Sequence, residues 1–125
     1  MADKTFRLDV VSPEEQLYSG DATFIIAQTT EGELGILPSH APMFGQLAPG
    51  GSVVVTEADG TKLALAVQGG FLSVSGTEVV VLADSAQFSK DIDIAAERAA
   101  LESAEEGSPE HLRARSRIRA VEAVS

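Results

Sequence analysis

The sequence predicts a mainly β protein with an α tail: an N-terminal β-sandwich over residues 1–90, then a C-terminal two-helix antiparallel hairpin over residues 91–125. Three observations carry that expectation. Short apolar stretches separated by turn signals about every ten residues fill the chain as far as Phe88. No βαβ spacing is present among them. Beyond Asp91 the chain is dominated by Ala, Glu, Arg and Leu, which favour helix, and Gly107-Ser108-Pro109 breaks that part in two.

The first strand is marked by Phe6, Leu8 and Val10 alternating with Arg7 and Asp9, the period of a half-buried strand. Ser12-Pro13, Ser19-Gly20 and Pro49-Gly50-Gly51 are further turn signals. Residues 52–58 and 61–67 form the cleanest hairpin, expected to close through Asp59-Gly60 in a two-residue type I′ turn. Ser75-Gly76-Thr77 joins a second pair, residues 70–74 and 78–82. Gly69-Gly70 is followed by neither Lys-Ser nor Lys-Thr, and no helix starts there, so a bulge or tight turn is expected rather than a phosphate loop.

In the tail, Asp91 or Asp93 can cap a first helix over residues 94–106. Ser108 as N-cap, Pro109 at the first helical position and Glu110 in the first turn start a second, running to about Ala123. On a helical wheel Ala114, Ile118, Val121 and Val124 form a narrow apolar stripe between Arg113 and Arg117 on one side and Arg115 and Arg119 on the other. That pattern predicts a surface helix rather than a core helix. Residues 91–106 hold six acids against Arg98, whereas residues 107–125 hold four arginines against Glu110 and Glu122. The sign change suggests two segments that lie side by side or exchange partners. Exposed pairs contribute at most ~1 kcal/mol each, so weak docking and early mobility are expected here.

Composition sets the outer limits. With 125 residues, 13.0 kDa and 44% hydrophobic content the chain has room for one cored domain and a small appendage. It has no cysteine, hence no disulfide framework or thiolate metal site. A net charge of −10 argues against nucleic acid and against direct adhesion to anionic lipid. Asp3, Lys4, Arg7 and Asp9 interrupt any signal-peptide pattern, and no apolar run approaches the ~20 residues of a spanning helix. Membrane association is therefore expected to go through another protein. No acid, base or nucleophile is assembled for catalysis, and no cofactor or metal is expected.

The segment richest in constraint is residues 32–42, Gly-Glu-Leu-Gly-Ile-Leu-Pro-Ser-His-Ala-Pro. Pro38 and Pro42 bias Leu37 and Ala41 toward extended conformations, so a rigid projecting loop should present Glu33 and His40 to a partner. By residue chemistry alone His40 is a loop histidine with a contact role and Glu33 a solvated carboxylate at a strand end.

This loop is similar to the signature loop of the epsilon-subunit family of F-type ATP synthases, G-E-(L/I)-G-(I/V)-(L/Y)-P-x-H-A-P. Three further blocks resemble the same family in its order: Leu8-Asp9-Val10-Val11-Ser12-Pro13-Glu14, Val67-Gln68-Gly69-Gly70-Phe71-Leu72-Ser73-Val74, and Val79-Val80-Val81-Leu82-Ala83-Asp84-Ser85-Ala86. The resemblance implies a non-catalytic central-stalk rotor subunit. Its sandwich would bind the gamma subunit and set its loop end, through Glu33 and His40, on the membrane-embedded c-ring. Its hairpin would tune ATP hydrolysis and reach the alpha/beta hexamer through the C-terminal helix. Such a subunit couples proton translocation to ATP synthesis from a peripheral position on the cytoplasmic face of the bacterial plasma membrane.

The tail departs from the family form that binds ATP, (I/L)-D-x-x-R-A. The chain reads Ile92-Asp93-Ile94-Ala95-Ala96-Glu97-Arg98-Ala99, with Ala96 where the arginine should stand and Arg98 two residues late. Two residues turn a helix by about 200°, which takes the guanidinium away from Asp93. The motif at Ile92, Asp93 and Arg98 is degenerate and argues against ATP binding. The second helix is also shorter than in members whose tail extends along the stalk. The alternative reading is a free-standing acidic β-sandwich that binds a small ligand or another soluble protein. An exposed apolar patch on one sandwich face would favour the rotor subunit, and a deep pocket with convergent polar groups the ligand binder.

Overall fold

The computed structural model describes residues 4–38 and 41–124. Nine strands come first among these residues: β1 (Phe6–Val11), β2 (Gln16–Thr29), β3 (Gly32–Ile36), β4 (Met43–Gln46), β5 (Ser52–Glu57), β6 (Lys62–Gln68), β7 (Phe71–Ser75), β8 (Glu78–Leu82) and β9 (Ser85–Phe88). A single 3-10 turn at Ser89–Asp91 leads to helices α1 (Ile94–Ser103) and α2 (Pro109–Val124).

Strand β2 organises the sandwich. It is 14 residues long. Its first half pairs antiparallel with β1, from Gln16 to Ala22, and its second half with β3 and β5. A register shift between Ala22 and Phe24 marks the bulge where the strand changes partners. Hydrogen bonding therefore runs unbroken in the order β4-β7-β8-β1-β2-β5-β6-β9, with β3 added on β2, and β1 and β8 run parallel.

The two groups of strands on either side of β2 close over one core. Leu8 and Val10 of β1, Leu72 of β7 and Val81 of β8 meet Ile25, Ile36, Val53, Val55 and Leu65 from the other group, all of them buried. Inward residues alternate with outward ones along β1, β7 and β8, as the pleat requires. The Gly69-Gly70 pair makes the tight turn expected of it. At Gly70, with φ +106°, a Cβ would fall 1.9 Å from the Leu82 carbonyl oxygen, so only glycine lets β7 start beside the end of β8.

The two hairpin turns exchange lengths relative to expectation. The β5–β6 connection is a three-residue loop, residues 58–60, because Glu57 N–H donates to the Thr61 carbonyl (2.8 Å) and Gly60 N–H to that of Glu57 (2.9 Å). Asp59 fixes this wider turn by accepting from Thr61 N–H at 2.9 Å. The two-residue turn occurs instead between β7 and β8, where Ser75 pairs with Glu78 around Gly76 and Thr77.

Helix α1 ends at Ser103, three residues short of the expected Glu106. The second helix departs from expectation more deeply. It is the middle layer of the tail, packed on β5 and β6 on one side and on α1 on the other. Ser116 and Ala120 are fully buried, Ala120 joining Ala64 and Ala66 of β6. The Ser116 hydroxyl donates to the Gly51 carbonyl and lies 3.3 Å from that of Val67. The stripe of Ala114, Ile118 and Val121 sits between Arg117 and Glu122, which pair with Glu97 and Arg98 of α1, so it faces α1 and not the sheet. Small side chains make the sheet-facing side because they allow a close approach of backbones.

Candidate functional site

The strand pairing places an apolar surface on the outside of the β4-β7-β8-β1 group. Residues opposite one another across a sheet share a face, and Phe71 stands opposite both Gln46 and Leu82, while Leu82 stands opposite Val11. Their inward neighbours Leu72 and Val81 fill the core, so the outward set meets water. Phe44 is 66%, Phe71 42% and Leu82 45% exposed. The rings of Phe44 and Phe71 are stacked, with centroids 5.1 Å apart and planes 21° from parallel. Beside them Val11, Pro13, Phe71, Leu82 and Ala83 line a cleft of about 360 Å³. A fixed aromatic pair on an apolar face is what a protein partner can cover.

The expected projecting loop does not include Glu33: residues 32–36 pair with β2 as β3, which places Glu33 opposite Gln28 in the strand, still exposed. The β2–β3 turn is tied by the Thr29 hydroxyl, which donates to the Gly32 carbonyl at 2.7 Å. Leu37 follows, 60% exposed. His40 lies outside the described residues. The fold also brings Glu33 into a cleft with Arg115 and Arg119 of α2, a neighbourhood that spacing along the chain does not reveal.

In the tail the residues of the degenerate motif hold other positions. The Asp93 carboxylate is the N-cap of α1 and accepts from the N–H groups of Ala95 (3.1 Å) and Ala96 (3.2 Å). Ile92 packs against the Ala64, Ala66 and Ala120 cluster. Arg98 points away to Glu122, at 3.6 Å. A cleft between the helices, lined by Glu97, Ala100, Arg113 and Arg117 among others, includes neither Asp93 nor Arg98. Its Arg117 is held by Glu97 at 3.3 Å.

Two side chains have displaced proton affinities. Burial raises the Tyr18 phenol above its ordinary value, helped by the hydrogen bond that it donates to Glu57 (2.7 Å) and by that carboxylate's charge. The Thr61 N–H holds the Asp59 carboxyl below its ordinary value. Both are structural contacts, one across β2 and β5 and one within a turn. Among the described residues no group of three or more His, Asp or Glu is placed to hold a metal ion.

Phe44, Phe71 and Leu82 are the functional candidates that residue-by-residue reading passes over. The signal was the alternation itself: with Leu72 and Val74 inward, Phe71 must face out, and a phenylalanine there has no use in the core of a lone sandwich.

Comparison with known proteins agrees with this geometry. The beta-sandwich domain of ATP synthase delta/epsilon chains matches residues 5–89. The chain is 46% identical over 122 residues to the ATP synthase epsilon chain of Rhodococcus opacus strain B4, covering 98% of each. It is 50% identical over 101 residues to that of Rhodococcus erythropolis, covering 81% of each. Among solved structures, a chain of the Euglena gracilis mitochondrial ATP synthase, in an OSCP/F1/c-ring assembly, superposes with a TM-score of 0.66 at 25% identity over 94% of this chain and 78% of that one. A chain of the Tetrahymena thermophila mitochondrial central stalk and c-ring shares the fold, with a TM-score of 0.63 at 17% identity over the full length of both.

Proposed function

The chain belongs to the ATP synthase epsilon chain family, as a stalk subunit of the complex and not its catalytic subunit, and from that premise we propose how its surfaces serve the rotor. The exposed Phe44, Phe71 and Leu82 face is the seat of the gamma subunit. This single observation carries the reading, because a stacked pair of phenylalanines in water is a standing cost until a partner covers it. The loop end, with Glu33 and His40, rests on the polar surface of the c-ring. Rotation of the ring is then transmitted through the sandwich to gamma, so that proton translocation is coupled to ATP synthesis on other subunits.

The division of labour follows the change of architecture. Residues 1–90 are the assembly unit. Residues 91–125 are the regulatory tail, which tunes ATP hydrolysis and contacts the alpha/beta hexamer when its C-terminal helix leaves the sheet. Nucleotide plays no part in this tail, since Asp93 is engaged as a helix cap and Arg98 with Glu122. The complex is membrane-associated, and no helix among the described residues is long and apolar enough to cross a membrane. The subunit is peripheral, on the cytoplasmic face of the bacterial plasma membrane, held there by gamma and the ring.

The test is co-purification of the tagged chain from solubilised membranes. Recovery of gamma and the c-ring with it is the expected result. Recovery of neither would remove the rotor assignment of these surfaces. A double variant, Glu33→Ala with His40→Ala, should assemble yet couple proton flow to synthesis less tightly.

A further inference from the structure

Helix α2 carries two arginines to the end of the sandwich where Glu33 lies. Arg115 and Arg119 line a cleft of about 240 Å³ together with Gln28, Glu33, Gly50 and Gly51. Arg115 is held there. Its Nε is shut off from solvent and has no hydrogen-bond partner among the described residues. Its guanidinium lies so close to the turn that a Cβ on Gly50 would come within 2.9 Å of Nη2 and 3.0 Å of Nε. Gly50, at φ +76°, supplies both the turn and the room.

The remaining lining is also rich in donors. Gln28 accepts from Ser52 N–H through its amide oxygen (3.2 Å), which leaves its NH2 group to donate. The ion pairs among the described residues, Arg7–Asp9, Arg98–Glu122 and Arg117–Glu97, use neither Arg115 nor Arg119. Glu33 is the carboxylate in the lining, so two guanidinium groups outweigh it locally in a chain whose net charge is −10. Arg115 is half-buried and Arg119 exposed, both line the cleft, and planar forked donors match phosphate oxygens two at a time, so an oxyanion there meets two guanidinium groups.

We propose that this cleft is a binding site for a phosphate-class oxyanion, supplied as inorganic phosphate or as the phosphate of a lipid headgroup. Arg115 and Arg119 belong to α2, whereas Gln28 and Gly50 belong to the sandwich. A bound anion therefore bridges tail and sandwich, and a ligand that binds only the docked arrangement stabilises it.

The full chain is titrated with inorganic phosphate against chloride at matched ionic strength, following the Gly50 and Gly51 amides, the Arg115 Nε–H signal and the thermal midpoint. Phosphate should shift these signals saturably and raise the midpoint, and chloride should not. Arg119→Gln alters an exposed side chain, so it keeps the fold, and it should weaken binding about tenfold. Arg115→Lys keeps the charge, loses the fork and should weaken binding at least as much. Sedimentation with phosphatidic acid vesicles separates the two sources: binding to vesicles without a response to free phosphate assigns the headgroup, and the converse assigns the free ion. No response to either, a response that chloride reproduces, or one that both variants leave intact overturns the proposal. The assay needs no partner subunit, so its failure leaves the rotor reading standing.

Discussion

Phe44 and Phe71 lie ring against ring, 5.1 Å between centroids, on the water-facing side of the sandwich. The register explains the contact. Phe44 stands opposite Ser73, which makes Phe71 its diagonal neighbour across β4 and β7, within reach of an aromatic side chain. Each ring thereby covers part of the other and limits its motion before any partner arrives. Such a pair loses little further freedom on binding, which is the behaviour of an interface anchor.

The anchoring of the tail can be probed at Ser116. Its hydroxyl is buried against the Gly51 and Val67 carbonyls, so Ser116→Ala removes the donor and leaves acceptors shut away from water. A loss of about 1–2 kcal/mol in urea unfolding is expected, together with faster amide exchange along α2. An unchanged stability would mean that the helix is held elsewhere.

The tail should ignore ATP. Asp93→Ala removes the N-cap of α1 and should cost about 1 kcal/mol of stability. Calorimetry at millimolar ATP should detect no saturable binding before or after the change. Saturable binding that Asp93→Ala abolishes would restore a nucleotide role to the degenerate motif.

The pH dependence of stability should carry a signature at the alkaline end. Tyr18 is the chain's one tyrosine, so its ionisation can be read directly by ultraviolet absorbance. Burial and Glu57 raise its folded-state affinity for the proton. A group raised in this way contributes stability that is complete below the unfolded value, about 10 for tyrosine, and lost as pH rises through the folded value. Phenolate should therefore appear above the ordinary range in the native protein and near it in urea. Tyr18→Phe should flatten that part of the profile. Coincident native and denatured titrations would show that the Glu57 contact does not form in solution.

Most of the architecture was legible because it rests on large apolar residues at fixed periods. Phe6, Leu8 and Val10 announce β1 and one side of the core, and Ser108-Pro109 announces the start of α2, where the Ser108 hydroxyl accepts from His111 N–H at 3.2 Å. What was hidden involves small residues or distant partners. The most deeply buried residues on the sheet-facing side of α2 are Ser116 and Ala120, small side chains whose burial follows from close approach and gives no strong hydrophobic period to read. The meeting of Glu33 with Arg115 and Arg119 joins positions some eighty residues apart in sequence, and only the docking of α2 creates it. The turn at Asp59 is one residue longer than Asp-Gly alone suggests, because the Asp59 side chain satisfies Thr61 N–H and so favours a wider loop.

If the apolar face seats the gamma subunit, the affinity of the purified chain for purified gamma must depend on Phe44. Phe44→Asp changes a side chain that is 66% exposed, so the thermal midpoint should stay close to that of the unaltered chain. The same change should weaken gamma binding by roughly thirtyfold or more, as loss of an interface anchor does. A folded Phe44→Asp chain that binds gamma with unaltered affinity would contradict that seating.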